Sequence, residues 1–166
     1  LYTPTAKDIT NERNIEEVHG FKEVNTLNVA DYPIYNPYGM TNLVDATYDA
    51  IESARIYGEQ LSDLDMSVNL AIYVVTDGEE NNSSRRQSEI KTLVDNIIKS
   101  EKIESVVLVL IGINVDHDLN VVLEQFKNSV GFNSFVGVKD ASPKSLAKIG
   151  ALISKSISSQ SQALGT

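Results

Sequence analysis

The sequence contains no cysteine. That excludes disulfides, thiolate metal sites and a cysteine nucleophile. Glycine and proline are also few, 9 and 4 in 166 residues, while 42% of the chain is apolar. This is the composition of a globular chain and not of a disordered one. Basic charge is short as well: 14 Lys and Arg stand against 23 Asp and Glu, a net charge of −9. An acidic chain repels phosphate backbones, and its densest basic cluster is Arg85-Arg86, so a nucleic acid is not the expected partner. No apolar run approaches the roughly 18 residues that span a membrane. The longest, Val106 to Ile113, has the length of a strand. The first residues, Leu1-Tyr2-Thr3-Pro4, show no charged leader, no apolar signal core and no initiator Met. The expectation is that they begin partway through a longer gene product.

What is present alternates regularly. Residues 43–61 place Leu43, Ala46, Thr47, Ala50, Ala54, Tyr57 and Leu61 at helical spacing. Val68 to Val75 reads as a buried strand that ends at Thr76-Asp77-Gly78. Ser83 or Ser84 is suited to cap the next helix, with Ile90, Leu93, Val94, Ile97 and Ile98 as its apolar stripe. Ile103 to Ile113 is a second apolar strand. It leads into a helix carrying Leu119, Val122, Leu123, Phe126 and Val130, which Gly131 closes. Phe135 to Val138 is a short strand, and Ser142-Pro143 opens a last helix expected to turn Leu146, Ile149, Ile153 and Ile157 inward. Strands apolar along their whole length, separated by amphipathic helices, predict a parallel sheet covered on both faces. One domain over residues 1–157 is expected, with 158–166 a flexible tail or linker. The first 40 residues hold only short candidate strands, near Leu1–Thr3 and His19–Leu27, followed by a loop with Tyr32, Tyr35 and Tyr38.

In an open α/β sheet, ligands collect beyond the carboxyl ends of the strands. Two polar clusters fall at such places: Gly39-Met40-Thr41-Asn42 before the first helix, and Thr76-Asp77-Gly78-Glu79-Glu80 after the first strand. Hydroxyl and carboxylate are hard donors, suited to Mg2+, Mn2+ or Ca2+. The run from Tyr38 to Leu43, with its G-x-T-N-L, and Val74-Val75-Thr76-Asp77-Gly78-Glu79 resemble the second and third loops of the metal-ion-dependent adhesion site of von Willebrand factor type A (vWA) domains. The likeness is greatest to their intracellular bacterial and phage branch, and the order of elements matches from residue 36 to residue 157.

The resemblance implies a Rossmann-like three-layer α/β/α sandwich with a mostly parallel sheet. It implies a direct metal ligand in Thr41 and a water-mediated one in Asp77, with the remaining position filled by a partner's carboxylate or by solvent. It implies cation-assisted protein binding rather than catalysis, in an intracellular or virion-associated setting rather than a secreted one. The family's first loop, D-x-S-x-S, has no counterpart between Leu1 and Gly39. With Thr41 and Asp77 alone, water would hold most of a cation, and weakly. The family's first strand is absent with that loop, and the neighbouring strand would be left with an open apolar edge, an aggregation hazard. An upstream segment or another chain is expected to complete the sheet.

Plainer readings stand beside these. Thr41 could simply cap its helix, and Asp77-Gly78 could simply be a turn. Glu79, Glu80 and Asn81 read as solvated loop residues, and Asp45 and Asp49 as carboxylates favouring the helix dipole. His19 and His117 have no partner at ligand spacing, and no serine has a nucleophile's setting. The three tyrosines could form a partner surface or cover the sheet edge. Two rival functions remain: a Mg2+-dependent hydrolase or phosphotransferase using Asp77 with Glu79 or Glu80 and either Asp116 or Asp140, and a structural domain that has lost its metal.

Overall fold

The structure, a computed structural model, describes Ile15, residues 17–32 and residues 40–163, the last three as helix backbone. Its elements run α1 (Leu43–Ser62), β1 (Asn69–Thr76), α2 (Gln87–Ser100), β2 (Ser105–Gly112), α3 (His117–Val130), β3 (Ser134–Gly137) and α4 (Pro143–Ala163). The three strands form one sheet in the order β1-β2-β3, and every pairing is parallel. The chain is therefore an α/β protein of Rossmann-like architecture.

Alternation along the strands sorts the core into two faces. Leu70, Ile72, Leu108 and Leu110 pack with Leu43, Val44 and Ile51 of α1, Ile90, Leu93 and Ile97 of α2, and Leu123, Phe126 and Val130 of α3. Val109 and Ile111 point the other way, onto Ile149 and Ile153 of α4. Both faces are thus apolar, which is why β2 reads as an uninterrupted hydrophobic run.

Element types follow the sequence closely, and the exceptions have physical reasons. In α1 the inward stripe is Leu43, Val44, Thr47, Ile51 and Ala54, whereas Ala50 is exposed. Ile149 is buried on α4, but Leu146 and Ile157, also expected to face inward, are 45% and 50% exposed. Among the described residues α4 is the sole helix on its face, so nothing flanks it. It also continues through residues 158–163, expected to be tail. There the Ser158 and Ser159 hydroxyls donate to the carbonyls of Ser154 and Lys155. Gly131 closes α3 as expected, at φ +90°, its amide donating to the Lys127 carbonyl.

The candidate strand at His19–Leu27 is absent. That stretch is irregular and mostly exposed, with 3-10 turns at Val24–Thr26 and Val29–Asp31, and it lies against α1 through Phe21 stacked on Tyr57 at 4.4 Å. Leu1–Thr3 lie outside the described residues. Among the described residues no strand precedes α1 and β1 forms the edge of the sheet. No helix there is long and apolar enough to cross a membrane.

The start of α4 supplies a pH test. Asp140 accepts from the Ser142 amide and the Ser145 hydroxyl at 2.9 and 2.7 Å. The Ser142 and Ser145 side chains, then the Ser142 amide, pull its pKa down to about 2. A depressed carboxylate contributes above its unfolded pKa and is lost as pH falls through the folded one. The Ser142 and Ser145 resonances should therefore titrate together with a midpoint near 2, read by NMR. A midpoint at the ordinary aspartate value of about 3.9 would contradict these bonds.

Candidate functional site

Thr41 and Asp77 both lie at the carboxyl end of β1, on separate segments that the fold joins. Thr41 donates its amide to Asn81 Oδ1 at 2.8 Å, and Asn81 returns its own amide to the Thr41 carbonyl at 3.1 Å. Asn82 Nδ2 donates to Asn42 Oδ1 at 2.7 Å. A Cβ at Gly78 would sit 3.7 Å from Thr41 Oγ1, so the hydroxyl adjoins the residue that follows Asp77. Thr76 closes the turn beneath: its Oγ1 accepts from the Gly78 amide and donates to the Gly78 carbonyl. The Asp77-Gly78 pair is accordingly a turn, and that turn carries an exposed Asp77 beside a half-buried Thr41.

Beneath this surface, two carboxylates hold the segments in opposite directions. Glu80, from the loop after β1, accepts from the Val44 amide of α1 at 2.7 Å. Asp45, from the first turn of α1, accepts from the amides of Ser84 and Arg85 at 2.9 Å each. Each carboxylate thus meets donors that the opposite segment cannot satisfy by itself. The first amides of a helix have no intrahelical acceptor, and Asn42 gives α1 no side-chain cap. Glu80 supplies one and places negative charge where the helix dipole favours it. Burial opposes ionisation of Glu80, but hydrogen bonds from Val44, Ser83 and Asn82 outweigh it and hold its pKa below the ordinary glutamate value. Arg85 extends the seam. Its guanidinium lies 3.8 Å from the centre of the Tyr48 ring and 3.8 Å from Asp49 Oδ1, a carboxylate that is almost wholly buried.

These contacts correct several expectations. Glu80 and Asn81 are not merely solvated, because they bind the α1 segment. Asp45 does more than favour a dipole. Neither Ser83 nor Ser84 caps α2, which begins at Gln87 behind Arg86, whose amide donates to Glu89 Oε2 at 2.7 Å. Both serines belong instead to the seam. His117 is the exposed first residue of α3, and Asp116 caps that helix through the Leu119 amide at 2.8 Å. His19 donates from Nδ1 to the Gly20 carbonyl at 2.7 Å and meets Tyr32 edge-on. Tyr35 and Tyr38 lie outside the described residues.

The donors available to a cation are oxygens, as a hard ion requires, but they are few. Glu80 is engaged by four hydrogen bonds. Asp116 and Asp140 serve helix starts. No group of three or more His, Cys, Asp or Glu able to hold a metal occurs among the described residues. Thr41 and Asp77 match Mg2+ in kind but fall short of the roughly six oxygens it takes. Comparison with protein-family models, curated proteins and solved structures returns no match.

Proposed function

We propose that the chain is a protein-binding module of vWA type whose partner docks on the Thr41 and Asp77 loops. The observation that carries this reading is the hydrogen-bonded seam between residues 41–45 and 80–85. It gives an exposed carboxylate and a neighbouring hydroxyl a fixed base at the carboxyl end of a parallel strand, where open α/β sheets bind their ligands. The sequence resemblance adds a hard divalent cation. Mg2+ or Mn2+ would take Thr41 directly and Asp77 through water, with water and a partner's carboxylate at the other positions. The ion would bridge two acidic surfaces, which is useful to a chain of net charge −9.

The hydrolase reading draws less support, because Glu80, Asp116 and Asp140 are all committed to amide and hydroxyl donors.

Calorimetric titration with Mn2+ tests the proposal. Saturable, weak binding is expected, reduced about tenfold or more by Asp77→Ala with no change in thermal unfolding, since Asp77 is exposed and its removal opens no cavity. Binding that Asp77→Ala leaves intact would place the ion elsewhere and overturn the assignment. A protein that binds no Mn2+ at all would favour the structural role.

A further inference from the structure

The seam has a directional logic that singles out one residue. Glu80 Oε1 accepts from the amides of Asn82 and Ser83 at 2.9 and 2.6 Å, and Oε2 accepts from the Val44 amide and the Ser83 hydroxyl at 2.7 Å each. The Ser83 hydroxyl has one proton. The Asp45 amide donates to the same oxygen at 3.0 Å, so that proton goes to Glu80. All four groups converging on Glu80 are therefore donors, and an ionised carboxylate is the acceptor that satisfies them together. Three of the four lie within the loop that follows Asp77. The fourth, the Val44 amide, lies in the first turn of α1, three residues after Thr41. The carboxylate is thus the shared anchor of both site segments, although it does not belong to the exposed surface.

We infer that Glu80 is a positioning residue, fixing the loop of Asp77 against the segment of Thr41 by accepting from both. This rests on the proposed site. Glu80 does not touch the ligand; it sets the separation of the groups that do. Glutamine has the same shape as glutamate but presents an NH2 to two of the four donors. A packing role tolerates Glu80→Gln, and an acceptor role does not.

The experiment compares the full chain with its Glu80→Gln and Glu80→Ala variants, by amide hydrogen exchange and by the broadening that Mn2+ alone produces in NMR spectra. Both variants should exchange about tenfold faster or more at Val44, Asn82 and Ser83, while Leu110 and Ile111 in the core of β2 keep wild-type rates. Exchange unchanged in Glu80→Gln, or accelerated equally throughout, overturns the inference. Mn2+ should broaden Thr41 and Asp77 in the wild type, and several-fold less in both variants at equal concentration. Equal broadening with loosened loops also overturns it. If Mn2+ broadens neither residue in the wild type, the metal reading of the site fails, and the exchange rates alone decide whether Glu80 positions the loops.

Discussion

Replacing Asp45 with alanine is expected to lower the unfolding free energy by about 3 kcal/mol, because each orphaned donor costs roughly 1–3 kcal/mol. Asp45 is 1% exposed and accepts from two consecutive amides, Ser84 and Arg85, that lead into α2. Removing the carboxylate leaves both without an acceptor and takes a negative charge from the first turn of α1. In a domain of this size the loss corresponds to roughly 6–12 °C in melting temperature. Asp45→Asn separates the contributions: its carbonyl keeps one amide satisfied while its NH2 faces the other. It should fall between wild type and alanine in urea-induced unfolding. A loss under about 1 kcal/mol for Asp45→Ala would mean that solvent reaches those amides and that the seam is weaker than its geometry indicates. The same variant should disturb the Thr41 and Asp77 resonances, since Asp45 and Glu80 bind the two segments from opposite sides.

The legible parts of this protein are those whose signals are local. β2 announces itself because both faces are buried, and α3 because its apolar stripe and Gly131 fall within a few turns. The placement of the two candidate loops was also readable, Thr41 before a helix and Asp77 after a strand. The groups that join them were not. Glu80 and Val44 are 36 positions apart, and Asp45 and Ser84 are 39 apart. No periodicity links such pairs, and a glutamate beside another glutamate after a strand has the pattern of a solvated loop. The local signal pointed the other way: Thr41 and Asn42 are residues that ordinarily cap a helix, and only the structure shows that Asn42 gives α1 no side-chain cap and that Glu80 supplies an acceptor. Ser83 and Ser84 misled for the related reason that a serine before a helix resembles a cap whether or not another segment claims it. On α4 the period correctly marks Ile149 and Ile153. Burial at Leu146 and Ile157 depends on neighbours that periodicity cannot supply.

Gly112→Ala should destabilise the chain by about 2 kcal/mol, a typical cost for overpacking a tight core. Gly112 ends β2, paired with Thr76 on one side and Gly137 on the other, directly below the candidate site. A Cβ there would meet Val115 Cγ2 at 2.5 Å, Leu123 Cδ1 at 2.8 Å and Phe135 Cε2 at 3.2 Å. The first two distances are shorter than real contacts, so something must move. Val115 is β-branched and stiff at χ1, and Leu123 is fully buried, so neither side chain yields freely. Alanine also restricts the unfolded chain, which offsets roughly 0.4–1 kcal/mol of the cost. The steric cause can be isolated with Val115→Ala, which removes the closest obstruction. In a double-mutant cycle the pair Gly112→Ala and Val115→Ala should be less destabilised than the sum of the single changes, by about 1 kcal/mol. Additive losses would show that the cost does not come from the Val115 contact. Gly131→Ala serves as the contrast: nothing lies within 4 Å of its added Cβ, and its φ is +90°. Its destabilisation, about 1 kcal/mol from the left-handed backbone, should be indifferent to Val115→Ala. A glycine kept for space and a glycine kept for conformation then separate by their response to one methyl-bearing neighbour.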